Sequence, residues 1–231
     1  MVKVFIDPGH GGKDPGAVGD KLKEKDVTLA VGIIVANELA QRGVDLILSR
    51  DEDRYRTLTD RCLEANEEEC DILVSIHCNA VESSIAKGYE IIHGGREESI
   101  RLAESMADAF SVQSLISARR PSVKSDMDTG RGPFTMVRKP VMPCIIVEMG
   151  FISNPTDRDI LAKNQGMLAE CIVNGIMNYF GLNSGTVDGE PVPADNPVIL
   201  AEAEPSHEPA LREEQVPSNR RPCKCKLRLR R

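Results

Sequence analysis

Four side chains in this sequence have the types and positions that metal-assisted hydrolysis requires. His10 lies in the glycine-rich turn DPGHGG, and His77 ends the apolar segment LVSIH. Glu24 precedes a long helical pattern, and Glu148 follows the apolar run PCIIV. Two histidines and one carboxylate form a ligand set for catalytic zinc, which keeps a fourth position open for water. A second carboxylate outside that set can take a proton from the water.

Each of the four residues, considered alone, also fits a purely structural role. His10 could occupy a glycine-rich turn, His77 could be a partly buried residue bonded to backbone, and Glu24 could be a solvated acid near a helix N-terminus. Glu148 is the most informative, because acids are almost never fully buried unless they are paired or bound to a metal. It predicts either a salt bridge, for example to an arginine, or a catalytic carboxylate. Cys78 follows His77, but adjacent strand residues point to opposite faces, which favours a packing role.

Strand and helix patterns alternate along residues 1–182 and must position these side chains. Asp26 is interpreted as the N-cap of the first helix. Residues 116–132 contain Pro121, Gly130 and Gly132 and are interpreted as a loop. We predict strands at 2–6, 44–48, 71–77, 88–93 and 143–149. We predict helices at 26–41, 57–68 and 97–113, with one or two more at 155–180.

This alternation predicts the α/β class, with a single domain built on a largely parallel sheet. Ligands bind beyond the carboxyl ends of the strands in such sheets. His10, His77 and Glu148 all follow strand ends, so we expect them to converge there. Arg50 and Arg61 could hold nearby loops, but ordinary turn and helix-start roles are favoured.

Composition restricts the class of protein and its location. The formal net charge of −7 argues against a nucleic acid as substrate, because phosphate contacts require lysine and arginine. The seven cysteines show no disulfide framework, which is typical of a reducing cytosol. No signal peptide and no membrane span is visible. Residues 183–231 form an acidic, proline-containing segment and then a basic end, and we predict a disordered tail there.

Several fragments, taken in order, resemble the zinc-dependent N-acetylmuramoyl-L-alanine amidase family of bacterial autolysins, spore-lysis enzymes and phage lysins. They are FIDPGHGG, GA at 16–17, EKD at 24–26, LSRD, SIHCNA and VEMGFISN, together with Arg61 and AN at 65–66. The resemblance implies that His10, Glu24 and His77 bind one zinc ion and that Glu148 is the catalytic acid/base. It also implies a twisted six-stranded sheet flanked by helices.

The same resemblance implies a substrate and a partner. The substrate is the amide bond between N-acetylmuramic acid and L-alanine in bacterial peptidoglycan. Two alternatives stay open: a zinc peptidase of the peptidoglycan stem, and an inactive wall-binding or regulatory module. We expect a monomer that is synthesised in the cytoplasm and reaches the wall after release, or by a route that needs no signal peptide.

Overall fold

The computed structural model describes residues 1–113 and 115–182, so the predicted tail at 183–231 lies outside the described residues. The strands of this part of the chain are β1 (Lys3–Pro8), β2 (Val18–Gly19), β3 (Leu22–Lys23), β4 (Asp45–Leu48), β5 (Ile72–Asn79), β6 (Tyr89–His93), β7 (Ala118–Ser125) and β8 (Cys144–Phe151). Its α-helices are α1 (Glu24–Gln41), α2 (Leu58–Glu67), α3 (Glu97–Gln113), α4 (Thr135–Arg138), α5 (Pro155–Lys163) and α6 (Gln165–Tyr179).

Six of these strands form one sheet in the order β4-β1-β5-β8-β6-β7. Every neighbouring pair is parallel except β6 and β8, which are antiparallel. The short strands β2 and β3 form a separate hairpin that leads directly into α1. The predicted α/β class, with its mostly parallel six-stranded sheet and flanking helices, is therefore confirmed.

The sheet is covered on both faces, which explains the nearly continuous apolar runs in β1, β5 and β8. Val4 and Ile6 of β1 belong to one buried cluster together with side chains of α1, α3 and α6. Phe5 points the other way and packs with Cys62 of α2 and Met136 of α4. This alternation fixes the register of β1, because a slip of one residue would exchange its two faces.

Two local predictions are wrong. The first long helix begins at Glu24 rather than after Asp26, because the β2–β3 hairpin feeds into it and Ala17 accepts a hydrogen bond from the Glu24 backbone N–H at 2.9 Å. Asp26 therefore lies in the first turn and is not the N-cap. The predicted loop at 116–132 contains strand β7, which pairs with β6 alone at the edge of the sheet.

Candidate active site

The structure brings the four predicted side chains together at the carboxyl end of the central strands. His10 follows β1, His77 lies near the end of β5, and Glu148 is its register partner on β8. Glu24 opens α1 beside them. Ligand atoms of His10, Glu24 and His77 all lie within 4.8 Å of one another. Side chains that are far apart in sequence thus form one compact donor set.

Glu24 is the centre of this donor set, and its side chain is only 4% exposed. Its Oε1 accepts a hydrogen bond from the Cys78 backbone N–H at 2.9 Å and lies 3.0 Å from His77 Nδ1. Its Oε2 accepts from the Ala17 N–H at 2.8 Å and lies 3.1 Å from His10 Nε2. Burial would raise the pKa of Glu24, but the two imidazoles outweigh burial and hold that pKa well below its ordinary value. The carboxylate is therefore ionised and able to ligate a cation.

His10 has a second carboxylate partner that sequence reasoning missed. Its Nδ1 lies 2.9 Å from Asp14 Oδ2, while its Nε2 faces Glu24. Burial opposes protonation, but Glu24 and Asp14 outweigh it and raise the pKa of His10 to about 9. A carboxylate on the far nitrogen of an imidazole is the usual support of a metal-binding histidine. In the sequence, the signal for this contact is an acid four residues after His10. In the fold, an isolated β-bridge between Gly11 and Asp14 turns the chain so that this acid reaches the imidazole.

Two glycines leave the space that the imidazoles and Glu24 occupy. A Cβ on Gly9 would overlap the ring of His77. A Cβ on Gly16 would lie 2.6 Å from Glu24 Oε2 and 2.7 Å from His10 Cδ2, and Gly16 also has a φ of +64°. His10 itself has a φ of 62°, an uncommon value for a residue with a side chain and one that recurs at functional sites.

Two buried arginines hold the loop that carries His10. Arg61 donates to the backbone oxygens of Pro8 and His10 at 2.8 and 2.6 Å and pairs with Asp7 at 2.6 Å. Arg50 donates to the oxygens of Pro8 and Gly9, each at 2.9 Å. The sequence favoured ordinary turn roles for both arginines. They instead satisfy the carbonyl groups of the loop from within the protein.

Glu148 is a buried carboxyl group that forms no salt bridge with the described residues, which leaves the first of its two predicted roles unsupported. Its Oε2 is buried and accepts no hydrogen bond from the described residues, and no described lysine or arginine pairs with it. Burial raises the pKa of Glu148 to about 7, although His77 acts in the opposite direction. A carboxyl group with this pKa can both accept and return a proton near neutral pH.

The four residues line a cleft of about 640 Å³. Its other walls include Tyr55, Arg131, Phe134 and Ala80. The donor set fits a catalytic zinc ion, because two imidazole nitrogens and one ionised carboxylate lie within reach of a common point and line an open cleft. Cys78 also borders the cleft, but its thiol is not part of the donor set.

Comparison with known proteins identifies the family. Residues 4–178 match the family model described as N-acetylmuramoyl-L-alanine amidase. The chain belongs to this amidase family. The sporulation-specific N-acetylmuramoyl-L-alanine amidase of Bacillus subtilis (strain 168) is 34% identical over 195 residues, which are 82% of this chain and 72% of that protein. The family predicted from the sequence motifs is thereby confirmed.

Solved structures of amidases share the fold. The amidase AmiC2 of Nostoc punctiforme superposes with a TM-score of 0.72 at 35% identity, covering 78% of this chain and 97% of that one. The catalytic domain of CwlV from Bacillus (Paenibacillus) polymyxa var. colistinus gives 0.72 at 31% identity, covering 79% and 99%. In the described ranges of this amidase-family chain, no helix is both long and apolar enough to span a bilayer.

Proposed function

We propose that this chain hydrolyses the amide bond between N-acetylmuramic acid and L-alanine in bacterial peptidoglycan. His10, Glu24 and His77 are the ligands of one zinc ion, and Glu148 is the general acid/base. The observation that carries the proposal is the meeting of three ligand groups within 4.8 Å in the same cleft as a carboxyl group whose Oε2 is buried and unpartnered. The catalytic domain spans residues 1–182, and its place of action is the cell wall.

Zinc, when bound by these three residues, supplies a Lewis acid that lowers the pKa of a water molecule and polarises a carbonyl group. Glu148 accepts the proton of the attacking water at Oε2, since that oxygen has no competing donor among the described residues. The water oxygen bonds to the lactyl carbonyl carbon. Glu148 then delivers the proton to the nitrogen of the L-alanine residue as the carbon–nitrogen bond breaks. Glu148 ends the cycle ionised, as it began.

The surrounding residues keep this geometry in place during the reaction. Asp14 orients His10 through Nδ1, while Arg50 and Arg61 hold the loop that carries His10. The pairing of β5 with β8 keeps His77 and Glu148 side by side. Groups held by buried contacts lose little freedom when substrate binds, which is the condition for efficient positioning.

Digestion of purified peptidoglycan tests the proposal. Mass spectrometry should find stem peptides with free L-alanine amino termini and glycan strands with free lactyl carboxylates. The matched control is the zinc-loaded Glu148→Gln variant, which should release neither product at a comparable rate. Cleavage within the stem would instead identify a peptidase, and the absence of any cleavage by the zinc-loaded protein would identify an inactive wall-binding module. Either result would contradict the proposal.

A further inference from the structure

A second cleft adjoins the one that holds the candidate zinc ligands. It has a volume of about 290 Å³, and Asn79, Ala80 and Arg131 line both clefts. We call it the basic cleft and define it by Asn79, Glu90, Arg119, Lys124 and Arg131. A substrate held at Glu148 can therefore extend past Asn79 and Arg131 into this space.

The basic cleft is positively charged, although the whole chain has a formal net charge of −7. Its lining contains three bases and one acid, Glu90. Glu90 is only 4% exposed and accepts a hydrogen bond from Asn79 Nδ2 at 2.8 Å. Its Oε1 also lies 2.6 Å from Lys124 Nζ and 2.7 Å from Arg119 Nε. One buried carboxylate thus holds two cations in place, and an excess of positive charge faces the cleft.

The arginines keep donors available for a ligand. Arg119 contacts Glu90 through Nε, and its guanidinium lies 5.1 Å from the ring centroid of Phe151. Arg131 donates to Asn79 Oδ1 at 3.2 Å and forms no salt bridge with a carboxylate among residues 1–113 and 115–182, although its charge acts on Glu148 across the main cleft. A planar guanidinium with free N–H groups suits a carboxylate, which can accept two parallel hydrogen bonds.

We propose that the basic cleft is a subsite for a carboxylate of the peptidoglycan stem peptide, with Arg131 as the residue that selects it. This inference rests on the proposed function. The lactyl carboxyl group of the muramic acid is consumed in the scissile amide, so the free carboxylates of a muropeptide lie on the peptide side. The subsite therefore places the peptide toward β6 and β7, and the glycan strand occupies the other part of the main cleft.

Two synthetic N-acetylmuramoyl tripeptides of equal length test the subsite. One has free stem carboxylates, and the other has them converted to carboxamides. We expect the wild type to cleave the free acid with a kcat/KM roughly 10- to 100-fold higher, the scale of one or two charge-assisted hydrogen bonds. Arg131→Gln should remove this preference by slowing the acid alone. Arg120→Gln is the matched control, since it removes an exposed charge from the same strand as Arg119 but outside the cleft lining.

The comparison of two substrates separates recognition from general damage to the site. A change in the electrostatic field at Glu148, or in the stability of the protein, would slow the cleavage of both muropeptides equally. Loss of the subsite instead changes the ratio of their kcat/KM values. Equal kcat/KM values in the wild type, or a preference that survives Arg131→Gln, would overturn the subsite. If neither muropeptide is cleaved, the proposed function fails. Titration of both into Glu148→Gln by calorimetry then still decides the subsite, because equal affinities would overturn it and tighter binding of the acid would support it.

Discussion

Asp14 should control zinc affinity without touching the ion. Its Oδ2 lies 2.9 Å from His10 Nδ1, and its Oδ1 accepts a hydrogen bond from the Gly16 N–H at 3.1 Å. Asparagine has one oxygen where aspartate has two, so Asp14→Asn can keep only one of these acceptors. It also removes the negative charge that favours a more basic imidazole.

The size of the effect follows from the exposure of the pair. Loss of such a support usually costs about 10- to 100-fold in metal affinity. The side chain of Asp14 is 45% exposed, so water screens part of its charge. We therefore use the lower end of this range of metal affinities. We therefore expect the dissociation constant for zinc to rise about tenfold, equivalent to about 1.4 kcal/mol.

Competition with a chromophoric zinc chelator measures this constant directly. Asp51→Asn is the matched control, because it removes the same charge from a side chain that is 71% exposed on a nearby loop. It should leave the zinc affinity unchanged. An Asp14→Asn variant that binds zinc as tightly as Asp51→Asn would refute the role of Asp14 in orienting His10.

Three further predictions address the base, the packing and the buried ion pair. Glu148→Gln should retain its zinc, as measured by metal content, and should lose about 100-fold or more in turnover, as measured by product release. Near-normal turnover would remove Glu148 from the mechanism. Gly9→Ala should displace the His77 ring and lower zinc occupancy, measured by elemental analysis, and full occupancy would contradict the close contact. Burial alone would raise the pKa of Asp7, but Arg61, Ser49 and Ser75 outweigh it and hold that pKa below its ordinary value. Stability from ionised Asp7 is thus present above its unfolded pKa of about 3.9 and is lost as pH falls through the lower folded pKa. Asp7→Asn should cost about 3–5 kcal/mol at pH 7 by urea unfolding, and this deficit should shrink in strong acid; a deficit that is independent of pH would contradict the assignment.

The sequence predicted the class of fold because strand and helix periodicities differ clearly in the buried segments. Strand β7 escaped prediction because its sequence, ARRPSVKS, is polar and contains a proline. Both features are tolerated at an edge, where one side of the strand has no partner in the sheet. Only the pairing with β6 makes the segment a strand, and no local pattern encodes that contact.

The candidate site was predictable to different degrees at each residue. Glu148 could be singled out because an acid at the end of a buried strand requires an explanation. Glu24 had no such signal and was found through the family motif. The supporting contacts of Asp14 and Arg61 depend on a glycine-rich loop whose path is set by tertiary structure. Residue types therefore indicate the chemistry, whereas the groups that orient it are brought together only by the tertiary structure.

Anomalous diffraction at the zinc absorption edge, from crystals of the zinc-loaded protein, tests the central proposal most directly. We predict one strong peak about 2.0–2.2 Å from a nitrogen of His10, a nitrogen of His77 and an oxygen of Glu24. Glu148 should face this peak without ligating it. A peak that lies elsewhere, or that leaves any of the three ligands beyond bonding distance, would contradict the account.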